Sequence, residues 1–501
     1  MEENTCCKKL MRIDMNRRRS LQCIGMLGII FMFSHGFFAP LLQPPVEREW
    51  NTWNGTQFCH IASLFTPSSQ EELTALVQTA YQLKKKMKVI GAGHSLNAIA
   101  VPDPETWTVS LENYAQILEV NLEEQTITVQ GGATLSQIND ALDFYGLSLE
   151  NLGSISDQTI GGVFQTGTHG TGQAYGPLHT QILSMTLING KGDLIAVSPT
   201  TDPLLFRAGQ CGLGALGIIN TITLRAIPAR FLCERTYSVP WPDLLDQLDL
   251  MVQNNAHVRA YWFPYTGCAG VWTANPTTET KKSPALIKDS EPFFRLVREM
   301  IQETNDPTIQ SMEDVLALGP SNPQIIARFN RALFEVDYGQ PYERSDRSDR
   351  IFNVDCSVHR NCCAMEAAFP AHDLKPFLLE LQALIETRHF PAHTGVEIRF
   401  VKSDSAFLSP TYSASPNDLF CFVSVVSIRA GSYHYEPFFQ AFEALVEAYR
   451  GRLHWGKLGR FSPSYLREVY PEWEAFLLVR QQADPSGMFL NDFTQRLVYP
   501  K

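Results

Sequence analysis

The sequence predicts an α+β protein of two globular domains behind an N-terminal apolar segment. Three observations carry that prediction. At 501 residues the chain exceeds what one hydrophobic core usually holds. Helical and strand periodicities alternate between residues 50 and 228, the pattern of an α+β domain. Beyond Pro228 loops lengthen, aromatic residues increase and the polar run "DYGQPYERSDRSDR" appears. The expected divisions are 1–45 for a tail and apolar segment, 50–228 for the first domain and 229–501 for the second.

Residues 21–42 are 22 positions without Asp, Glu, Lys or Arg. As a helix rising about 1.5 Å per residue they could cross a hydrocarbon core of about 30 Å. Lys8, Lys9, Arg12, Arg17, Arg18 and Arg19 precede them, which predicts a cytoplasmic N-terminus with the remainder across the membrane. The expectation is a single-pass membrane protein of the endoplasmic reticulum or secretory pathway, its globular part lumenal. His35 and Pro40 weaken the span, and the rival readings are a cleaved signal peptide with secretion, or a mitochondrial membrane address. Asn54-Gly55-Thr56 is a glycosylation sequon expected in a loop, consistent with a lumenal fate.

In the first domain, Ser68 and Glu71 form an expected capping box ahead of Leu73, Leu76, Val77, Ala80 and Tyr81 at helical spacing. Lys84, Lys85, Lys86 and Lys88 fall where a helix C-terminus favours cations. "KVIGAG" and "QTITVQGG" read as strands, and "TLSQINDALDFYG" as a helix boxed by Thr134 and Gln137. "LSMTLINGKGDLIAVS" reads as a hairpin around Asn189-Gly190.

Composition excludes some classes. With 44% hydrophobic and 19% charged residues the chain is a folding one. A net charge of -11, with no basic stripe interleaved with aromatics, argues against nucleic acid. The 11 cysteines form no C-x-x-C pair, so no metal site is expected, and most read as small buried hydrophobes.

Two glycine segments carry the chemistry. In "KVIGAGHSLNAIAVPD" the residues Gly91-Ala92-Gly93 let a backbone approach a phosphate closely, but Leu96 stands where a Rossmann fingerprint needs its third glycine, and no Gly-Lys-Ser/Thr follows. "NLGSISDQTIGGVFQTGTHGTGQAYG" alternates small residues with hydroxyls, and can line backbone N–H groups and hydroxyls along a pyrophosphate. Two such loops suggest a dinucleotide between them. In "GVEIRFV", Glu397 and Arg399 leave the same face of a strand, their Cα atoms about 6.5 Å apart.

"GAGHSLNAIA", "NLGSISDQTIGGVFQTGTHGTG", "GLGALGIINTITL", "GVEIR", "HWGK" and "DPSGMFLNDF", in that order, resemble the FAD-dependent sugar-lactone (aldonolactone) oxidases of the vanillyl-alcohol-oxidase superfamily. The likeness is greatest to D-arabinono-1,4-lactone and L-gulono-1,4-lactone oxidases, with alditol oxidases as near relatives. It implies a two-subdomain FAD-binding fold, a sheet-and-helix substrate (cap) domain, and FAD covalently bound through His94. A neutral imidazole is a suitable nucleophile for that bond.

Carried over residue by residue, the likeness gives Ile90, Gly91, Ala92, Gly93, His94 and Ser95 to the first FAD loop. Ser154, Thr159, Gly162, Thr166, Gly167, Thr168 and His169 belong to the second, and the Ile218 backbone meets the adenine end. Glu397, Arg399 and Lys457 become catalytic and, with Ser154, substrate-binding; His454 is a secondary candidate. The implied reaction oxidises a secondary alcohol of a sugar-1,4-lactone by hydride transfer to flavin N5, with O2 reoxidising the flavin to give peroxide and an ascorbate-type product. An alditol oxidase, a dehydrogenase with another acceptor, and a non-catalytic membrane scaffold stand as alternatives. Gly131 and Gly132 in "VQGGAT" are expected near the flavin.

Overall fold

The computed structural model describes residues 45–278, 290–353, 362–429 and 434–499. The apolar stretch 21–42 lies outside them, and among the described residues no helix is long and apolar enough to cross a membrane.

A four-stranded sheet opens the described chain, in the order Val46–Asn51, Phe58–Phe65, Trp107–Ser110, Met87–Ile90. The helix Gln70–Gln82 packs on it through Leu73, Leu76, Val77 and Ala80, all buried and spaced at helical intervals. Its cap sits one residue later than expected. Ser69 accepts the Glu72 N–H, whereas the Glu72 carboxylate turns back to the N–H and hydroxyl of Ser68. The lysines do not complete the helix either, because it stops at Gln82 and Lys84 takes a left-handed φ of 52°. Lys86 instead donates to the carbonyls of Gly487 and Leu490, and Lys88 lies in the strand.

A five-stranded antiparallel sheet follows, ordered Ile117–Asn121, Thr126–Gln130, Ile218–Arg225, Ile182–Ile188, Leu194–Val197. The helix Leu135–Phe144 begins with the expected box between Thr134 and Gln137, and it buries Leu135, Ile138 and Leu142. Each such side chain contributes about 1.5–3 kcal/mol by leaving water. The expected hairpin is present, with Ile188 opposite Leu194 and the turn built from residues 189–193.

The second half is an eight-stranded antiparallel sheet in the order Tyr342–Arg347, Phe231–Pro240, Cys268–Thr277, His257–Phe263, Val396–Lys402, Leu419–Ile428, Cys362–Pro370, Arg452–Leu453. In Val396–Lys402 the apolar residues Val396, Ile398 and Phe400 enter the core, leaving Glu397 and Arg399 on the other face.

The C-terminal segment returns to the first helix, where Met488 and Phe489 share a core with Leu73 and Val77. Asp484 accepts the N–H groups of Met488 and Phe489 at 2.9 and 3.0 Å, and Asn491 donates to the carbonyls of Ala98 and Val101. The "DPSGMFLNDF" motif is thus a staple. The sequon loop is present too, but Asn54 is buried and its amide nitrogen donates to the Cys362 carbonyl at 2.8 Å. A glycan would have to break that bond.

Candidate active site

Glycines bring three backbone segments together. A Cβ on Gly91 would lie 2.3 Å from Thr159 Oγ1, and one on Gly161 would lie 2.8 Å from the Gly131 carbonyl oxygen. At Gly161 a side chain would press on backbone that cannot turn aside, and at Gly91 it would have to displace the Thr159 hydroxyl. Gly93 adopts φ 72°, which turns the chain into His94, whose ring stacks on Trp53 at 5.1 Å between centroids.

Opposite these loops, strand register assembles a polar face. Tyr261 pairs with Glu397, Glu397 with Ser424, and Ser424 with Glu366; in the next row Arg259 pairs with Arg399 and Arg399 with Phe422. Residues directly opposite across a sheet share a face. Arg399 grips Glu397 by a fork, with Nε to Oε1 at 2.8 Å and Nη2 to Oε2 at 2.9 Å, while Nη2 lies 3.3 Å from Ser154 Oγ. Tyr261 adds a hydroxyl donor to Glu397 Oε1 at 2.7 Å.

Only 14% of the Arg399 side chain and 16% of that of Glu397 are exposed, so this is no surface ion pair. Burial alone would raise the Glu397 pKa, but the guanidinium groups of Arg399 and Arg259 outweigh it and hold the carboxylate below its ordinary value. Burial likewise disfavours charge on Arg399, yet Glu397 and Glu366 keep its pKa above the ordinary value. Tyr261 is pushed up by burial and by Glu397, which keeps it a neutral donor.

Lys457 and His454 come from the "HWGK" turn, which is tied to the His94 loop. Leu96 N–H donates to the Gly456 carbonyl, and Asn97 Nδ2 donates to the carbonyls of Trp455 and Lys457 at 2.8 and 2.7 Å. Trp455 stacks on Phe461 and Tyr470 behind the turn. Asn97→Leu would take this donor from the buried Trp455 carbonyl, at a cost of about 1–3 kcal/mol, and from the half-buried Lys457 carbonyl at a smaller one. We expect a lower thermal midpoint together with a raised KM for substrate; an unchanged midpoint would deny Asn97 this role.

His169, Glu366 and His454 also meet here, their candidate ligand atoms within 4.8 Å of one another. Hydrogen bonds and an ion pair order the three side chains. His454 Nδ1 accepts the Gly456 N–H at 3.0 Å, so Nε2 carries the proton of the neutral ring, and burial holds its pKa near 3. His169 stacks on Phe422 at 3.5 Å, with Nδ1 3.0 Å from the Gly170 carbonyl oxygen and Nε2 3.3 Å from Glu366. Burial opposes charge on Glu366, but His169 outweighs it and keeps the carboxylate well below its ordinary pKa.

One cavity joins these parts. It is lined by Ile90, Gly91, Ala92, Gly93, His94, Ser95, Ser154, Thr159, Gly162, Thr166, Thr168, His169 and Ile218, and by Glu397, Arg399, His454 and Lys457. Gly167 is the exception among the residues expected there: at φ 72° it turns against Pro410 and Cys211 instead. Gly131 reaches the cavity wall but Gly132 does not, being packed against the Leu111 and Tyr114 carbonyls.

The wall suits a flavin dinucleotide. Its loop side carries hydroxyls, glycines and the cation Lys88, and its carboxylates, Glu366 and Glu397, both lie on the sheet side, away from where a pyrophosphate would rest.

Residues 222–497, more than half of the chain, match the D-arabinono-1,4-lactone oxidase family, and residues 61–198 match the FAD binding domain. The chain belongs to the D-arabinono-1,4-lactone oxidase family. FAD is its cofactor. Among relatives of this lactone oxidase family member, L-gulonolactone oxidase of Scyliorhinus torazame is 30% identical, covering 91% of this chain and 100% of its own. L-gulono-1,4-lactone dehydrogenase of Mycobacterium tuberculosis is 29% identical over 90% and 99%. Mitochondrial L-galactono-1,4-lactone dehydrogenase of Arabidopsis thaliana is 28% identical over 92% and 82%. Cholesterol oxidase from B. sterolicum shares the fold, with a TM-score of 0.76 at 16% identity over 91% of this chain and 97% of that one.

In this family member several site residues escaped sequence reading. Tyr261 and Glu366 sit far from Glu397 in the chain and reach it only through register. Asn97 lay inside a quoted motif, but nothing local shows that it reaches residues 358 and 360 positions away. Lys88 read as part of a helix-end cluster.

Proposed function

We propose that this chain oxidises a secondary hydroxyl of a sugar-1,4-lactone, with O2 as terminal acceptor, on FAD linked covalently to His94. The observation carrying this reading is the buried Glu397–Arg399 fork facing the same cavity as both glycine loops, with Ser154 and Lys457 on its wall. FAD, when bound, supplies a hydride acceptor that an external oxidant regenerates.

The protein's residues supply the rest. Arg399 and Lys457 place positive charge on the cavity wall, where it favours loss of the substrate hydroxyl proton and offsets the negative charge that the hydride carries to its acceptor. Glu397 has both oxygens occupied by Arg399 and Tyr261 and stays ionised, which makes it a weak proton acceptor. Its part is to aim the Arg399 fork and to accept a hydrogen bond from the substrate hydroxyl, whose proton passes to water. The loops hold the lactone against the sheet and exclude bulk solvent.

A panel of aldonolactones and alditols, run on the purified protein with both oxygen consumption and dye reduction followed, tests the proposal. Lactone-dependent oxygen uptake with peroxide is the expected result. Dye reduction without oxygen uptake would replace oxidase by dehydrogenase, a reading that the dehydrogenase relatives support nearly as well by identity. Turnover of alditols alone would overturn the substrate. We further propose that residues 21–42 tether the enzyme in a secretory-pathway membrane with the catalytic part lumenal, on the strength of the uncharged run behind six Lys and Arg residues. Digestion of the catalytic part by trypsin in sealed microsomes would overturn that topology.

A further inference from the structure

We infer that Lys88 is a binding residue for the adenylate half of FAD, its ammonium donating to that half from the strand beneath the first glycine loop. The inference rests on FAD as cofactor, and adds a residue that no glycine motif marks.

Lys88 lies on the strand Met87–Ile90, is 4% exposed, and lines the cavity. Among the described residues its Nζ makes no hydrogen bond or ion pair. Burial pulls its pKa down to about 8, with Asp103 pulling the other way. Asp103 is nevertheless committed elsewhere, since both its oxygens accept the Asp492 N–H, at 2.9 and 3.0 Å. The contrast with Lys86 is direct. That lysine serves the fold by donating to the carbonyls of Gly487 and Leu490. A buried ammonium with no acceptor from the protein opposes folding, so its acceptor has to come from what fills the cavity.

Position within the cavity selects the half. His94, Glu397, Arg399 and Lys457 mark the reacting end. Lys88 precedes Gly91 by three strand residues, or about 10 Å of chain, and so lies back from the His94 loop. Its Nζ faces Gly214, 3.9 Å from where a Cβ there would stand, and Gly214, Gly217 and Ile218 line the cavity beside it. A dinucleotide with its ring at the reacting end lays its adenylate here, where phosphate, ribose and purine nitrogen all offer acceptors.

The test uses full-length protein carrying His94→Ala, freed of flavin, with FAD and FMN binding followed by flavin fluorescence and ADP binding by calorimetry. Adding Lys88→Met should weaken FAD and ADP at least tenfold and leave FMN unchanged, while Lys88→Arg keeps most of the FAD affinity. The flavin-free Lys88→Met protein should also melt no lower than its parent, because it has lost an unpaired buried charge. A FAD affinity within twofold of the parent, equal losses for FAD and FMN, or a lower melting temperature would overturn the role of Lys88. Failure of the parent itself to bind FAD would overturn the cofactor reading, and this inference with it.

Discussion

Arg399→Met is expected to slow reduction of the bound flavin by about 100- to 1,000-fold at saturating lactone, the usual cost of removing one donor aimed at developing charge. The guanidinium occupies both oxygens of Glu397 and reaches Ser154, so its loss removes a cation from the cavity wall and leaves the carboxylate without its forked partner. In the native site Arg399, with Arg259 behind it, holds the Glu397 pKa down against burial. With Arg399 gone, burial is the larger influence and the carboxylate pKa rises. The residual activity should then fall as pH drops through that raised value, a dependence the parent lacks. Arg399→Lys should recover little, because a lysine offers a point charge where a planar fork is needed. Rapid mixing under anaerobic conditions, following the blue flavin absorbance, checks this; reduction within a few-fold of the parent would remove Arg399 from the chemistry.

His94→Ala should release all flavin from acid-precipitated protein, whereas the parent pellet stays yellow and fluorescent. The loop at Gly91 and Gly93 carries the His94 ring to the cavity wall beside Trp53. Two other histidines line the same cavity, each held by its own partners. His169 is stacked on Phe422 and bonded to Glu366, and His454 takes the Gly456 N–H on Nδ1. An acid-stable flavin in the variant would therefore place the linkage on some other nucleophile. Loosely held FAD is expected to remain, because the backbone walls built around Gly91, Gly131 and Gly161 do not depend on the imidazole.

Much of this was legible in the chain. The period-two spacing of Glu397 and Arg399 put them on one face, and the structure finds both on the cavity wall. Thr134 and Gln137 cap their helix as read, because a capping box is a contact within four residues. The same local logic slipped by one residue at Ser69, where two adjacent serines and two adjacent glutamates offered rival registers and packing of Leu73, Leu76 and Val77 chose between them. The likeness carries Gly167 over with its neighbours, but alternate positions of a turn need not face the same way.

By itself, then, the sequence determined the two glycine loops, the acid–base pair two residues apart and the family to which these belong, since each is a matter of residue type and short spacing. Only the tertiary structure decided that Tyr261, Ser424 and Glu366 extend the Glu397 row, that Asn97 holds the "HWGK" turn, and that Lys88 is buried without a hydrogen-bond or ion-pair partner among the described residues. The physical reason is that periodicity reports which side of its own strand a residue occupies, while the neighbour across the ladder is set by pairing between segments tens to hundreds of residues apart.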